Sequence, residues 1–130
     1  MAKIKERKRI LVVDDEYDSR LLKILLERNG FIVDFFDDPF LAMDYFQSNL
    51  FSLIILNIKL PKLNGFQLYR EIRKIDAKVK VCFMTDGEMY YGVYSDIFDN
   101  LDENCFIRKP ISYDHKLLEH LGKIIIRYPN

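Results

Sequence analysis

Short, largely apolar runs alternate with helical patterns along the whole of this chain, and that alternation leaves few folds open. Ile10–Val13, Phe31–Phe36, Leu53–Leu56, Val79–Met84 and Cys105–Arg108 each read as a strand. Ile10–Val13, a continuous β-branched and aliphatic run, suits a strand covered on both faces, as in a parallel sheet. A helix follows the first strand through about Asn29. Leu21, Leu22, Leu25 and Leu26 form its apolar stripe, Arg20, Lys23 and Glu27 lie opposite, and Gly30 is its natural stop. Asp38 and Pro39 supply an N-cap and a first-turn proline for a second helix, with Leu41, Ala42, Tyr45 and Phe46 on one face. A third puts Leu68, Ile72 and Ile75 inward and Arg70, Arg73 and Lys74 outward. In the fourth, Met89, Tyr90, Val93, Tyr94, Ile97, Phe98 and Leu101 keep helical spacing despite Gly92, which weakens the helix by up to about 1 kcal/mol. Ser112 opens the last, whose stripe is Leu117, Leu118, Leu121, Ile124, Ile125 and Tyr128. Five βα units predict a parallel sheet wrapped by helices through right-handed crossovers.

Size and charge narrow the class further. A chain of 130 residues suits one domain that buries roughly two thirds of its unfolded surface. Formal charge is zero and the pI about 6.7, so no nucleic-acid partner is expected. Lys3, Lys5, Arg7, Lys8 and Arg9 face only Glu6 near the start, which reads as a flexible basic N-terminus over 1–8 ahead of a single domain over 9–128. No secretory hydrophobic region and no apolar run of membrane-spanning length is expected, and no membrane partner. Cys82 and Cys105 sit in apolar strands and read as buried thiols of a reducing cytosol, which places the expected protein in the cytoplasm. Two cysteines without paired His or Cys make no zinc pattern. His115 and His120 read as solvated positions on the last helix. There is no kinase-like Gly-rich loop and no dinucleotide fingerprint.

The chemistry-bearing residues punctuate the strands. RILVVDD ends in Asp14 and Asp15, LIILN in Asn57, VCFMT in Thr85, and CFIRKP in Lys109 and Pro110. Sites of open α/β sheets lie beyond the carboxyl ends of strands, where strand order reverses, so these residues are expected to converge. Taken singly, each has a plain reading: Asp14–Asp15 as a helix cap, Thr85 as a β-branched strand end, Lys109 as a solvated lysine, Pro110 as a strand terminator. Taken together they resemble the phosphoacceptor pocket of a response-regulator receiver domain, and KLPKLNG after Asn57 matches the loop that follows the acceptor in that family.

That resemblance covers nearly the whole chain and implies a flavodoxin-like (βα)5 fold, its parallel sheet ordered 2-1-3-4-5. It implies that Asp15 binds Mg²⁺ directly, Asp14 partly through water, and the Lys59 backbone carbonyl and residue 57 complete the protein's share. Lys109 would hold a phosphoryl oxygen as a point charge, Thr85 would donate a hydroxyl hydrogen bond to another, and the Lys109–Pro110 bond would be cis. It further implies a switch, in which Thr85 moves inward and Phe106 follows from exposed to buried. Phe106 lacks a tyrosine hydroxyl, so packing would drive it.

Asn57 departs from the family. Its amide oxygen lacks the charge needed to attack phosphorus, and the site loses one unit of metal-attracting charge. Phosphorylation at position 57 is expected to be abolished and Mg²⁺ binding weakened. Two histories fit: an acceptor aspartate deliberately replaced, or a natural receiver that does not use aspartyl phosphate. The expected role is a stand-alone signalling module, not an enzyme, that meets a sensor histidine kinase and a downstream effector. With aspartate at position 57 it would at most phosphorylate and dephosphorylate itself. Tyr91, Phe106 and Ile126 are expected to form a docking or homodimer patch across helix 4, strand 5 and helix 5. Two alternatives share the topology. A haloacid-dehalogenase-like phosphatase needs a second acid two positions beyond its nucleophile, which Glu16 after Asp14 matches poorly. A flavodoxin-like binding module needs a phosphate loop that Asp14–Asp15–Glu16 would repel.

Overall fold

A computed structural model of the chain describes residues 8–86, 95–98 and 106–127. Strands β1 (Arg9–Val13), β2 (Ile32–Phe36), β3 (Leu53–Asn57), β4 (Val81–Thr85) and β5 (Phe106–Arg108) form one parallel sheet in the order β2-β1-β3-β4-β5. Helices α1 (Arg20–Arg28), α2 (Pro39–Tyr45), α3 (Gly65–Ile75), α4 (Ser95–Phe98) and α5 (His115–Arg127) connect and follow them, with a short 3₁₀ turn at Tyr17–Ser19 before α1. The chain runs outward from β1 to β2 and then crosses back to β3, so strand order reverses between β1 and β3. A crevice is expected there.

Side-chain alternation divides the core into two layers. Leu11, Val13, Ile54, Leu56, Val81 and Phe83 face one side, where they meet Ala42, Phe46, Leu68, Ile72 and Ile97 of α2, α3 and α4. Ile10, Val12, Leu53, Ile55, Cys82 and Met84 face the other, against Leu22 and Leu26 of α1 and Leu117, Leu121, Ile124 and Ile125 of α5. Both faces being covered explains why the central strands carry no polar alternation. Every residue of β3 and β4 is buried.

The helices bury narrower stripes than their periodicity suggests. Leu21, Leu41 and Ile75 are 50 %, 54 % and 48 % exposed. Leu22 and Leu26 set the inward line of α1, and Leu21 lies about 100° to one side of it. Pro39, Ala42 and Phe46 do the same for α2 and turn Leu41 and much of Tyr45 to solvent. Ile75 has the right angle but is the last residue of α3, where the stripe outruns its packing partners.

Element bounds also shift for identifiable reasons. Val79 precedes β4 because its N–H donates to the Asp76 carboxylate (3.0 Å) and its carbonyl accepts from Arg73 (2.6 Å). The last helix begins at His115, not Ser112, because Asp114 Oδ1 accepts from the N–H groups of Lys116 (3.0 Å) and Leu117 (3.3 Å) and takes the capping place. Asp38 caps α2 as expected, accepting from the N–H groups of Phe40 and Leu41, and Gly30 ends α1 at φ 91°. Of the expected fourth helix, Ser95–Phe98 are helical and Ile97 is buried; Met89, Tyr90, Val93, Tyr94 and Leu101, the basic N-terminus over 1–7, Cys105 and Tyr128 lie outside the described residues.

Candidate functional site

The ladder register brings the strand ends level. Val13 pairs with Leu56, Asn57 with Met84, and Thr85 with Arg108. Asp14, Asn57, Thr85 and Lys109 therefore arrive at one edge of the sheet, each by continuing its own buried strand. Glu16, Asn57, Ile58, Lys59, Thr85, Asp86 and Lys109 line a small pocket there.

Asp14 is fully buried, and its charge is answered at once. Oδ2 accepts from Lys109 Nζ (2.8 Å) and from the Ser19 hydroxyl, while Oδ1 accepts from the Glu16 N–H (3.1 Å). Lys109 Nζ also lies 3.1 Å from Glu16 Oε2. With β3 and β4 between β1 and β5, the two backbones stand about 14 Å apart at ordinary strand spacing, so the lysine stem spans the pocket floor. Only 10 % of the Lys109 side chain is exposed. Its N–H donates to the Thr85 carbonyl (2.7 Å), and the Lys109–Pro110 bond is cis. Thr85 is buried and lines the pocket.

Asn57 is 3 % exposed, and its Nδ2 donates to the Lys59 carbonyl at 2.7 Å. A carbonyl only accepts, so the atom beside it must be the NH₂ group. The following loop is fastened further. Ile58 N–H donates to the Met84 carbonyl (3.0 Å), and Gly65 N–H donates to the Ile58 carbonyl (2.9 Å). A capping box of Asn64 and Gln67 then starts α3. Across the mouth, Lys59 Nζ pairs with Asp86 Oδ2 at 2.9 Å. Asp15 is exposed, with no hydrogen bond or ion pair to its side chain among the described residues.

Asp14, Asn57, Thr85 and Lys109 thus come together, with the Lys59 carbonyl among them, while Asp15 stands on the solvent side. Phe106 is half-buried and stacked on Phe83, ring centroids 5.8 Å apart. Tyr91 and the side chain of Ile126 lie outside the described residues. His115 is exposed and His120 half-buried. Three participants are not legible as site residues from the pattern alone. Ser19 reads as an α1 cap, yet caps nothing and donates to Asp14. Glu16 and Asp86 read as surface acids, yet each pairs with a pocket lysine. Their one signal is adjacency to strand-end residues.

In chemistry the donors suit a hard divalent cation: two carboxylates, an amide oxygen and a backbone carbonyl are all oxygen ligands. Their present bonds point elsewhere, since Asp14 engages Lys109 and the Lys59 carbonyl engages Asn57. Among the described residues, no three His, Cys, Asp or Glu side chains are grouped to hold a metal, and no helix is long and apolar enough to cross a membrane.

A family model described as the response regulator receiver domain matches residues 10–121. Chemotaxis protein CheY of Bacillus subtilis (strain 168) is 28 % identical over 121 residues, covering 90 % of this chain and 97 % of that protein. The CheY-like receiver domain protein from Methanospirillum hungatei JF-1 superposes with a TM-score of 0.81 at 24 % identity, covering 95 % and 97 % of the two chains. The receiver domain of sensor histidine kinase PA1611 from Pseudomonas aeruginosa PAO1, with a magnesium ion coordinated in its active-site cleft, shares the fold at a TM-score of 0.70 and 19 % identity over 95 % and 98 % of the chains. The chain spans about half the length of several transcriptional regulators it matches. These matches favour neither the phosphatase nor the flavin-module alternative. With its five-stranded 2-1-3-4-5 sheet and its lysine-bearing pocket at the carboxyl edge, this chain belongs to the response regulator receiver domain family.

Proposed function

We propose that this chain is a receiver module of a two-component system that signals through protein–protein contacts, with Asn57 at the phosphoacceptor position and therefore no aspartyl phosphate. The observation that carries this reading is the buried Asn57 at the end of β3, beside Thr85 and Lys109, with its amide turned to the Lys59 carbonyl. An aspartate there would attack phosphorus as an anion, and an amide does not. Its partners are a histidine kinase and a downstream effector, and the face of α4, β5 and α5 serves effector docking or homodimer formation. The setting is the cytoplasm.

Mg²⁺, which receiver domains bind in their active site, supplies neutralisation of phosphoryl oxygens. Asp14, Asp15, the Asn57 amide oxygen and, once released by the Asn57 amide, the Lys59 carbonyl would hold it here, more weakly than with a carboxylate at position 57. Lys109 would hold a phosphoryl oxygen once released from Asp14 and Glu16, and Thr85 would donate to another. Packing of Phe106 against Phe83 couples that end of β4 to the outer face.

Intact-mass measurement after incubation with Mg²⁺ and acetyl phosphate tests the reading. The protein gains no phosphoryl group, and Asn57→Asp gains one. An unmodified Asn57→Asp protein, under conditions that label an ordinary receiver, would overturn the assignment of position 57.

A further inference from the structure

We propose that Asn57 is a built-in clasp: its amide occupies the Lys59 carbonyl that would otherwise face a cation, so the loop from Ile58 to Gly65 is ordered without metal. The inference rests on reading position 57 as the acceptor position, and adds what the amide does there.

Three observations carry it. The Asn57 Nδ2 to Lys59 oxygen distance is 2.7 Å, and Asn57 is 3 % exposed, so the bond is made away from competing water. A carboxylate is the same shape but has no hydrogen. At position 57 it would set two acceptors about 2.7 Å apart, an arrangement that needs a cation between them. Both pocket lysines are also already engaged. Lys109 engages Asp14 and Glu16, and Lys59 engages Asp86, so neither lysine must move for the clasp to close.

The two ends of the loop are held by the backbone. Gly65 lies so close to the Asn57 backbone that an added Cβ would sit 2.4 Å from the Asn57 carbonyl oxygen. The Gly65 N–H returns to the Ile58 carbonyl, closing the loop on itself. Between those two ends, the Asn57 amide holds the Lys59 backbone itself, while Lys59 and Lys62 pair through their side chains with Asp86 and Asp38 and Asn64 caps α3. The clasp makes the receiver's pocket metal-independent, and a carboxylate at position 57 makes it metal-dependent.

Amide hydrogen exchange of loop 58–65, followed by mass spectrometry in EDTA and in millimolar MgCl₂, tests this on the full chain, Asn57→Asp and Asn57→Ala. The parent loop exchanges at the same rate in both solutions. Asn57→Asp exchanges about tenfold faster in EDTA, the factor for loss of one buried hydrogen bond, and Mg²⁺ restores the parent rate. Asn57→Ala is faster in both, because it removes the amide without adding a metal ligand. A parent loop slowed by Mg²⁺ as much as that of Asn57→Asp would overturn the clasp. Equal rates for parent and Asn57→Asp in EDTA would also overturn it. Phosphoryl uptake by Asn57→Asp is read separately by mass, so failure of the clasp and failure of the receiver assignment give different results.

Discussion

Replacing Gly65 by alanine presses directly on the backbone of the site. The new methyl carbon would sit 2.4 Å from the Asn57 carbonyl oxygen and 3.0 Å from both the Asn57 carbonyl carbon and the Ile58 Cα. Ordinary contact begins near 3.4 Å, so α3 or the loop must retreat by about 1 Å. Forcing a methyl group into closed space costs about 1–3 kcal/mol, and backbone neighbours, which cannot rotate away, place Gly65→Ala at the upper end. Alanine returns about 0.5–1 kcal/mol as the better helix residue. The net loss is about 2 kcal/mol, or a Tm lowered by roughly 6–10 °C for a domain of this size. Gly122, inside α5 with nothing within 4 Å of its would-be Cβ, supplies the control. Gly122→Ala gains the helix term alone, about 0.5–1 kcal/mol. Urea denaturation followed by circular dichroism measures both, with unchanged m-values showing that stability alone has moved. A Gly65→Ala protein with the parent's urea midpoint would refute the close approach of α3 to the Asn57 backbone.

Two further substitutions probe charge. Asp76 accepts the N–H groups of Lys78, Asn49 and Val79; burial pushes its carboxyl up, but these bonds and nearby Arg73 outweigh burial and hold it below the ordinary 3.8. A depressed carboxyl contributes stability that is complete above the ordinary value and lost as pH falls through the folded-state value. Asp76→Asn therefore loses about 1–3 kcal/mol at neutral pH and converges on the parent in acid, read from urea midpoints across pH. Parallel curves down to the acid limb would contradict this. Among the described residues, Lys109→Met leaves the fully buried Asp14 with the Ser19 hydroxyl and the Glu16 N–H and no cation, at a loss of about 3 kcal/mol. Adding Asp14→Asn recovers much of that loss in the same denaturation assay. A double variant no more stable than Lys109→Met would show that the pair is not energetically coupled.

The sheet was legible because burial on both faces removes polar alternation: Leu53–Leu56 and Val81–Met84 have no other reading in an alternating chain. The helix faces were less legible, since Leu21 and Leu41 are as apolar as the leucines that are buried. One-dimensional periodicity gives a stripe's width only to within about one residue, or 100°. Asp14, Asn57, Thr85 and Lys109 were legible as a group because each terminates an apolar run and parallel strands deliver all such ends to one edge. Glu16, Ser19 and Asp86 were not, because their roles arise from side-chain contacts that no strand or helix period marks: Lys109 to Glu16 and Lys59 to Asp86 across the pocket, and Ser19 back to Asp14 from the turn after β1. No local pattern carries that information.

Position 57 shows where the two kinds of information separate. Its place is set by the ladder: Asn57 pairs with Met84, and the next residue's N–H bonds to the Met84 carbonyl. Asparagine and aspartate are isosteric, so neither bond depends on which is present, and the fold places both in the same pocket. What differs is one atom at the tip of the side chain, nitrogen with two hydrogens in place of an anionic oxygen. That atom decides whether the Lys59 carbonyl is answered from within the protein or by a cation, and whether the group can attack phosphorus. Family membership follows from the ladder and activity from the tip. Under the proposed reading, the chain keeps the receiver fold, its Lys109–Asp14 bridge and its pocket, and the Asn57 amide closes the reaction associated with that pocket.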